Sequence, residues 1–313
     1  MKTPLRRGIL FDIDGVLIDV RKSYIDSIRR TVQLYLEQIT GVSPSRKVQL
    51  LSREDVDTFK LLGGFNNDWD CVYGLLVYFQ SLIGSQKLRV SSINLLKKKR
   101  DLSSLLKKLP RPCGIKGIRP LVKHASQIDY ELAKEMFQEI YLGEKLFRKL
   151  YRRPPRFSRV SGLNLLERPL IPASLLKTLG QKFTLGIVTG RTRFEAEHVL
   201  NRFKIFGLFK SMVTYDEVAR AEKRTGQVLR KPHPYSVLEC AEQLQCGKYL
   251  YVGDLPDDVR AATHSKNKIS ILSAGFVYKC LSPKHTVKEM KKAEADFILR
   301  HPKELRKAEA LLS

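Results

Sequence analysis

The first apolar run of the chain ends in two carboxylates and a glycine, and this feature constrains the fold most. Residues 9–11 are apolar, and Asp12, Asp14 and Gly15 follow them. Open parallel sheets bind ligands at the carboxyl ends of their strands. A turn at Gly15 would let both aspartates face one ligand, which suits a nucleophile and a separate acid or base. An ordinary turn is the alternative, whereas a calcium loop is disfavoured because residues 16–18 are apolar.

Composition predicts a folded chain without a membrane span. With 313 residues and 43% hydrophobic content, it is long enough for one large or two ordinary domains. The longest apolar run, residues 74–79, is too short to cross a bilayer. The two aspartates lie where a signal peptide needs an apolar core, so we expect a cytoplasmic protein. Five cysteines without a Cys-x-x-Cys pair argue against a zinc site and a disulfide framework.

The formal charge of +25 is concentrated in two blocks. Residues 86–123 contain twelve basic residues and the single acid Asp101, and residues 145–159 contain seven basic residues and no acid. Such blocks attract phosphate-rich partners, including nucleic acid, although a solvated charged face is the alternative. The first block contains no Phe, Tyr or Trp that could stack on bases. We therefore expect at most weak contact with the backbone of a polyanion.

The distribution of apolar runs predicts an α/β fold with a doubly wound parallel sheet. The six predicted strands are residues 8–14, 183–188, 210–214, 248–252, 269–272 and 295–299. Between the first two lie helical patterns at residues 20–39, 66–83 and 128–151, and prolines and glycines predict a connector within the basic stretch. The predicted organisation is an α/β unit of residues 1–19 and 170–313, with an all-helical insertion at 20–169 that contains the basic stretch at about 86–123.

Polar residues also follow three other predicted strands. Thr189, Gly190 and Arg191 offer a hydroxyl and backbone amides for an anion, or a simple helix cap. Lys231 lies between a basic helix and two prolines and could neutralise a phosphoryl oxygen. The alternative is that this stretch has no role beyond starting a helix at Pro234.

The fourth strand tip carries a cluster of acids. Asp254, Asp257 and Asp258 supply the oxygen ligands that magnesium prefers. A capped helix would explain Asp257 or Asp258 but not the whole cluster.

These four motifs together resemble the haloacid dehalogenase superfamily. The first motif is residues 12–16, the second is Thr189, the third is Lys231, and the fourth is Gly253 and Asp254 with Asp258. The insertion is similar to the helical cap of the phosphoglycolate phosphatase-like branch. Within it, residues 23–24, 63–70 and 137–143 resemble the corresponding segments of a small subgroup of that branch. The sequence departs from the family at Leu255 and Pro256, where relatives usually carry a small hydroxyl residue, and in its long insertion.

The resemblance implies a magnesium-dependent phosphatase acting on a small phosphorylated metabolite. Asp12 would form an aspartyl-phosphate, and Asp14 would protonate the leaving oxygen and then activate water. Magnesium would be held by Asp12, the main-chain carbonyl of Asp14 and Asp254, with Asp258 close by. The motif residues Thr189, Gly190 and Lys231 would bind the phosphoryl oxygens.

Other roles stay open on the sequence alone. Arg191 either contacts substrate or faces solvent, and Asn66, Asn67 and Trp69 either contact substrate or form a helix-capping turn with a packed tryptophan. The second acid, Asp14, argues against a dehalogenase, while a phosphomutase remains an alternative. Another alternative is a nucleic-acid-binding protein or a polynucleotide-end phosphatase that uses the basic segments.

Overall fold

The chain forms two compact units. The computed structural model describes residues 6–44, 47–65, 67–83, 92–110, 113–118 and 128–312. Residues 1–19 and 168–313 form one unit, here called the α/β unit, and residues 20–167 form the other, here called the helical unit. None of the helices in the described ranges is long and apolar enough to cross a bilayer.

The predicted doubly wound parallel sheet is confirmed. The strands are β1 (Arg7–Phe11), β2 (Ile18–Asp19), β3 (Arg168–Pro169), β4 (Thr184–Val188), β5 (Ser211–Val213), β6 (Lys248–Gly253), β7 (Ile271–Phe276) and β8 (Phe297–Leu299). Six of them pair in parallel in the order β5-β4-β1-β6-β7-β8. The strand order changes direction beside β1, and such a switch point opens a crevice at the carboxyl ends of the strands.

Helices account for most of the remaining secondary structure. In the helical unit they are α1 (Tyr24–Gln38), α2 (Arg53–Lys60), α3 (Asp68–Ile83), α4 (Ile93–Lys99), α5 (Leu102–Lys108), α6 (Gly114–Ile118) and α7 (Tyr130–Tyr151). In the α/β unit they are α8 (Ala173–Lys182), α9 (Arg193–Arg202), α10 (Tyr215–Thr225), α11 (Tyr235–Leu244), α12 (Pro256–Ser265), α13 (Pro283–Lys292) and α14 (Ala308–Leu311). Beyond their first residues the central strands are buried, which explains their continuous apolar sequence.

Two strand ends differ from the predicted ones by three or more residues. β1 ends at Phe11, so both aspartates lie beyond the strand and not within it. β7 continues to Phe276 through Ser273, Ala274 and Gly275, which lack the apolar pattern of a buried strand. Asp296 satisfies the polar groups there, because its carboxylate accepts bonds from the Ser273 amide (2.8 Å) and hydroxyl (2.9 Å).

The predicted single helix over residues 128–151 is broken at Gly143. That residue has φ 70° and ψ 169° inside α7, which is a non-helical conformation. A Cβ atom at this position would lie 2.1 Å from the Gly162 nitrogen. The chain near residue 160 therefore approaches the helix closely, and the Glu144 amide donates to the Val160 carbonyl at 3.2 Å instead of continuing the helical ladder.

The predicted connector in the basic stretch is wrong for its described part, which forms α4, α5 and α6. Ser92 caps α4 and Asp101 caps α5, because each side chain accepts a bond from the backbone amide three residues later. Ile93, Leu96 and Ile118 are fully buried. The charged residues therefore lie on short amphipathic helices whose apolar sides belong to the core of the helical unit.

The subgroup residues 23–24 and 137–143 meet around one buried carboxylate. Glu167 Oε1 accepts hydrogen bonds from the Ser23 hydroxyl (3.1 Å) and the Tyr141 hydroxyl (3.0 Å). The Tyr24 ring stacks on Tyr141 with 4.2 Å between centroids and on Phe137 with 5.8 Å. These side chains are buried, so their observed contacts are those of a packed core with a satisfied polar group.

Candidate active site

Asp12 follows β1 directly and is nearly inaccessible to solvent. Its amide donates to the Val252 carbonyl at 2.9 Å, which continues the pairing with β6 one residue beyond the strand. Its Oδ1 accepts a bond from the Ile13 amide at 2.7 Å. Burial raises the pKa of Asp12 to about 7; Lys231 opposes this change, and the charges of Asp258 and Asp14 add to it. The backbone thus fixes a carboxylate in a site that strongly favours a neighbouring cation.

Asp14 lies one residue further on and is held by Arg191. The Nε atom and a terminal nitrogen of Arg191 lie 2.8 and 2.6 Å from Asp14 Oδ1. The Arg191 side chain has no exposed surface, whereas the Asp14 side chain keeps 21% exposure. The alternative of a solvent-facing Arg191 is therefore wrong. The guanidinium orients an accessible carboxylate beside the buried Asp12.

Thr189 and Gly190 follow β4, which pairs with β1 on the side opposite β6. The Thr189 amide donates to the Val213 carbonyl at 3.0 Å, and its hydroxyl oxygen accepts from the Arg191 amide at 3.2 Å. The cap of α9 is Thr192, which forms a capping box with Glu195. Thr189 is therefore not the helix cap. Its hydroxyl can still donate a hydrogen bond, and Gly190 is exposed beside it.

Lys231 brings a buried ammonium group to the same place. Its Nζ donates to Asp258 Oδ1 (2.7 Å), the Tyr251 hydroxyl (2.8 Å) and the Val188 carbonyl (3.2 Å). It also forms an ion pair with Asp12 Oδ2 at 3.3 Å. Burial alone would lower the pKa of Lys231, but the carboxylates of Asp12 and Asp258 outweigh burial and raise it. The amine therefore stays protonated.

Pro234 is the N-cap residue of α11, so the alternative of a helix start at this proline is correct. It does not exclude the predicted role of Lys231, which precedes this helix and pairs with Asp12; neutralisation of a phosphoryl oxygen by Lys231 stays a prediction.

Asp258 accepts four hydrogen bonds. Its Oδ1 accepts from Lys231 and from the Tyr251 hydroxyl (3.0 Å), and its Oδ2 accepts from the amides of Asp254 (3.1 Å) and Leu255 (3.0 Å). The second pair of bonds caps the start of α12. This carboxylate thus satisfies the backbone donors that precede the helix.

The acidic cluster fits a divalent cation. Asp12, Asp254 and Asp258 each offer an oxygen, and these atoms lie within 4.8 Å of one another. Carboxylate oxygens are the donors that magnesium prefers. Each oxygen of Asp258 already accepts two bonds from protein donors. Gly15 leaves room for this approach, since a Cβ there would lie 2.0 Å from Asp254 Oδ2.

The predicted substrate residues of the helical unit are bonded within that unit. Asn67 Oδ1 accepts from the Trp69 amide at 2.8 Å at the start of α3. Trp69 is only 7% exposed, and the Lys134 ammonium lies 4.1 Å from its ring centroid. This geometry fits the helix-capping alternative, and substrate contact by these residues stays a prediction. Asn66 lies outside the described residues.

Sequence reasoning missed Tyr251. Its hydroxyl contacts both Lys231 and Asp258, and burial raises its pKa well above the usual value. It lies in the apolar run of β6, where a tyrosine looks like an ordinary core residue. The sequence indicates a possible polar role only through the hydroxyl group of this tyrosine, which stands two residues before the Gly253-Asp254 motif.

Comparisons with known proteins agree with this geometry. The family model of haloacid dehalogenase-like hydrolases matches residues 7–265. The imidazoleglycerol-phosphate dehydratase of Phytophthora nicotianae is 24% identical over 265 residues, which are 83% of this chain and 42% of that protein. The chain thus spans less than half the length of this curated relative.

Two solved structures are also similar. A phosphatase from Thermococcus thioreducens is 25% identical with a TM-score of 0.56, and the match covers 85% of this chain and 90% of that one. A predicted phosphoglycolate phosphatase from Haemophilus somnus 129pt has a TM-score of 0.53 at 15% identity, over 99% of this chain and 100% of that one. The second likeness concerns the fold alone.

Proposed function

The chain belongs to the haloacid dehalogenase-like hydrolases, and from this membership we propose that it is a magnesium-dependent phosphatase that hydrolyses a small phosphomonoester. The observation that carries the proposal is the surroundings of Asp12. Its carboxylate lies 3.3 Å from the Lys231 ammonium and within 4.8 Å of two further acids, and Asp14 is held beside it. The similarity to a solved phosphatase at 25% identity supports the phosphoric monoester class.

Asp12 is the nucleophile in this proposal. A carboxylate oxygen attacks phosphorus in line with the ester oxygen, the Asp12–phosphorus bond forms, and the bond to the leaving oxygen breaks. Asp14, which enters this step protonated, donates that proton to the leaving oxygen, so the alcohol leaves neutral and Asp14 becomes a carboxylate. The Asp14 carboxylate then removes a proton from water, the water oxygen bonds to phosphorus, and the bond between Asp12 and phosphorus breaks. Inorganic phosphate is released, and both carboxylates return to their starting states.

The remaining residues either donate hydrogen bonds to the phosphoryl oxygens or position the residues that react with or bind the phosphate. Thr189 donates through its hydroxyl, Gly190 through its amide and Lys231 through its ammonium group. Asp258 and Tyr251 act through Lys231, because their bonds of 2.7 and 2.8 Å fix the position of the amine. Arg191 acts through Asp14 in the same way.

Magnesium would be held by Asp12, Asp254 and the main-chain carbonyl of Asp14, with Asp258 beside them. When bound, it offsets the negative charge of the phosphate and of the acids. The charges of the site favour such an ion, because four carboxylates (Asp12, Asp14, Asp254 and Asp258) accompany two side-chain cations (Lys231 and Arg191).

We further propose that the helical unit selects the substrate, as lids do when they contact the part that is not phosphate. Residues 66, 67 and 69 are the predicted contacts. The substrate class is a small phosphorylated metabolite, and the dehydratase activity of the curated relative is not assigned to this chain, which matches only 42% of it.

The deciding experiment measures release of inorganic phosphate from a panel of small phosphomonoesters and from 5′- and 3′-phosphorylated oligonucleotides. Release should require magnesium, and it should stop with excess chelator and in Asp12→Asn. Asp14→Asn should accumulate phosphoenzyme with an aryl phosphate and break it down slowly. Asp296→Asn is a matched control, because this acid of the same unit bonds only structural partners among those described.

Full activity of the Asp12→Asn variant would falsify the assigned mechanism. Transfer of phosphate to a second position of the substrate, without release into solution, would indicate a mutase. Faster hydrolysis of oligonucleotide ends than of any metabolite would favour the polynucleotide alternative.

A further inference from the structure

A cationic cavity lies at the opposite edge of the sheet from Asp12. It has a volume of about 520 Å³ and is lined by residues at the amino ends of three adjacent strands, β1, β4 and β5, and by the end of α11. Asp12 and Thr189 follow the carboxyl ends of β1 and β4. Because these strands have five residues each and a strand rises about 3.3 Å per residue, the two sites are separated by about 16 Å.

Four cationic side chains line this cavity: Arg6, Arg7, Lys182 and Lys210. None of the described lining residues is acidic. Arg7 and Lys182 share one counter-ion from outside the cavity, Glu309, whose carboxylate lies 3.9 Å from Arg7 and 2.5 Å from Lys182. Lys182 holds the pKa of Glu309 below its usual value. One carboxylate therefore serves two of the four cations.

The other two cations, Arg6 and Lys210, are exposed at the rim. They form no ion pair within the described part of the chain. Like charges gathered around one concavity raise the local positive potential and concentrate anions there. Because Glu309 balances only one charge, the cavity retains an excess of about three positive charges, which a single phosphate would not neutralise.

The floor of the cavity is apolar. Phe183 and Leu185 are buried there, with Leu208 and Leu244 beside them, and the Arg7 guanidinium lies 5.3 Å from the centroid of the Phe183 ring. The volume falls within the usual range of small-molecule sites, about 300–1,000 Å³. A concave site of this size selects a compact ligand over a long polymer.

We propose that this cavity binds a small anion that carries a chain of phosphates, at a site separate from the catalytic one. The phosphates would lie against Arg6 and Lys210 at the rim and reach Arg7 and Lys182. Two sources share this chemistry: a short inorganic polyphosphate such as tripolyphosphate, and a nucleotide whose base or ribose would cover the apolar floor.

The test is calorimetric titration of the full chain with tripolyphosphate and, separately, with ATP, at low ionic strength and with divalent ions chelated. The pocket variant is Arg6→Gln combined with Lys210→Gln. The matched control is Lys223→Gln combined with Lys288→Gln, which removes the same charge from two exposed residues of α10 and α13.

We expect the pocket variant to bind tripolyphosphate at least about tenfold more weakly than wild type, and the control to stay within about twofold. Tighter binding of ATP than of tripolyphosphate would identify a nucleotide as the source, and equal binding would identify the phosphate chain alone. Equal weakening in both variants would reduce the effect to general charge attraction and overturn the site. Unchanged binding in the pocket variant, or no binding by wild type, would overturn it as well. Both variants should keep wild-type hydrolysis of an aryl phosphate, because neither alters the catalytic residues.

Discussion

Replacement of Arg191 by Met should disable Asp14 while leaving Asp12 in place. The arginine side chain is fully buried, and two of its nitrogens lie 2.8 and 2.6 Å from Asp14 Oδ1. Removing one partner of a buried ion pair costs about 3–5 kcal/mol. Because Asp14 keeps 21% exposure and water can solvate the remaining carboxylate, we expect the lower end of that range, about 3 kcal/mol, as the loss in the free energy of unfolding.

The catalytic effect follows from the lost orientation. Without the guanidinium, the Asp14 carboxylate can adopt other rotamers and spends less time near the leaving oxygen. A positioned acid or base contributes about 10²–10⁴-fold to a rate, so we expect kcat for an alkyl phosphate to fall by about 10²–10³-fold. Arg191→Lys keeps the charge but not the forked geometry, and it should lose about tenfold.

Two substrates separate this role from a general loss of fold. Nitrophenolate leaves with little need for a proton, whereas an alkoxide needs one. The pre-steady-state burst of nitrophenol from Arg191→Met should therefore approach the wild-type rate, while phosphoenzyme formation from glycerol phosphate should be slow. Thermal unfolding of the same preparations gives the stability change.

Arg193→Met is the matched control, because that arginine lies two residues away and pairs with Glu217 (3.0 Å) and Glu197 (3.5 Å) instead of with Asp14. It should keep wild-type kcat. If a folded Arg191→Met variant slows both substrates equally, Arg191 acts on the phosphate or on Asp12. If neither substrate slows, the ion pair has no part in catalysis.

Two further predictions concern sterics and charge. Gly15→Ala should lower both Tm and kcat, since its Cβ would lie 2.0 Å from Asp254 Oδ2. Gly226→Ala has a similar φ of 69° with no atom within 4 Å of its Cβ, so it should leave kcat unchanged and lower the free energy of unfolding only by the backbone cost of about 1–2 kcal/mol. Equal effects of the two substitutions on kcat would contradict the steric explanation. Replacing four exposed lysines of α4 and α5 by Gln should weaken salt-dependent retention on heparin while hydrolysis of an aryl phosphate stays within about tenfold; unchanged retention would assign the charge to a solvated surface. The lysines are Lys97, Lys98, Lys107 and Lys108.

The α/β fold could be predicted because its strands are local features. A strand buried on both faces is a continuous apolar run, and helices between such runs impose parallel pairing. The same regularity places Asp12, Thr189 and Asp254 at one edge of the sheet, because each directly follows a strand. Where this pattern fails, as in the Ser273–Gly275 part of β7, the strand depends on a distant acid, Asp296, and the sequence alone could not predict it.

The direction of each polar side chain could not be predicted. Arginine is usually a surface residue, and the burial of Arg191 is explained by its ion pair with Asp14, which is distant in sequence. Likewise, Tyr251 looks like a core residue until Lys231, twenty residues earlier, is placed on its hydroxyl. Gly143 interrupts α7 where Gly162 approaches it closely, and the apolar periodicity of the helix does not predict this contact. Such long-range contacts decided most of the differences between the predicted and the observed structure.

The long insertion is compatible with an undisturbed sheet because its two ends meet. β2 and β3 pair antiparallel at the points where the chain leaves and re-enters the α/β unit, and the Leu170 amide donates to the Leu17 carbonyl at 2.8 Å. Inside the helical unit, Glu167 at its last position accepts from Ser23 near its first. The entropic cost of bringing the two ends of an insertion together grows only slowly with the length of the insertion. Helices such as α4 to α6 can therefore be added within the insertion while the strand ends that carry Asp12 and Thr189 stay in register.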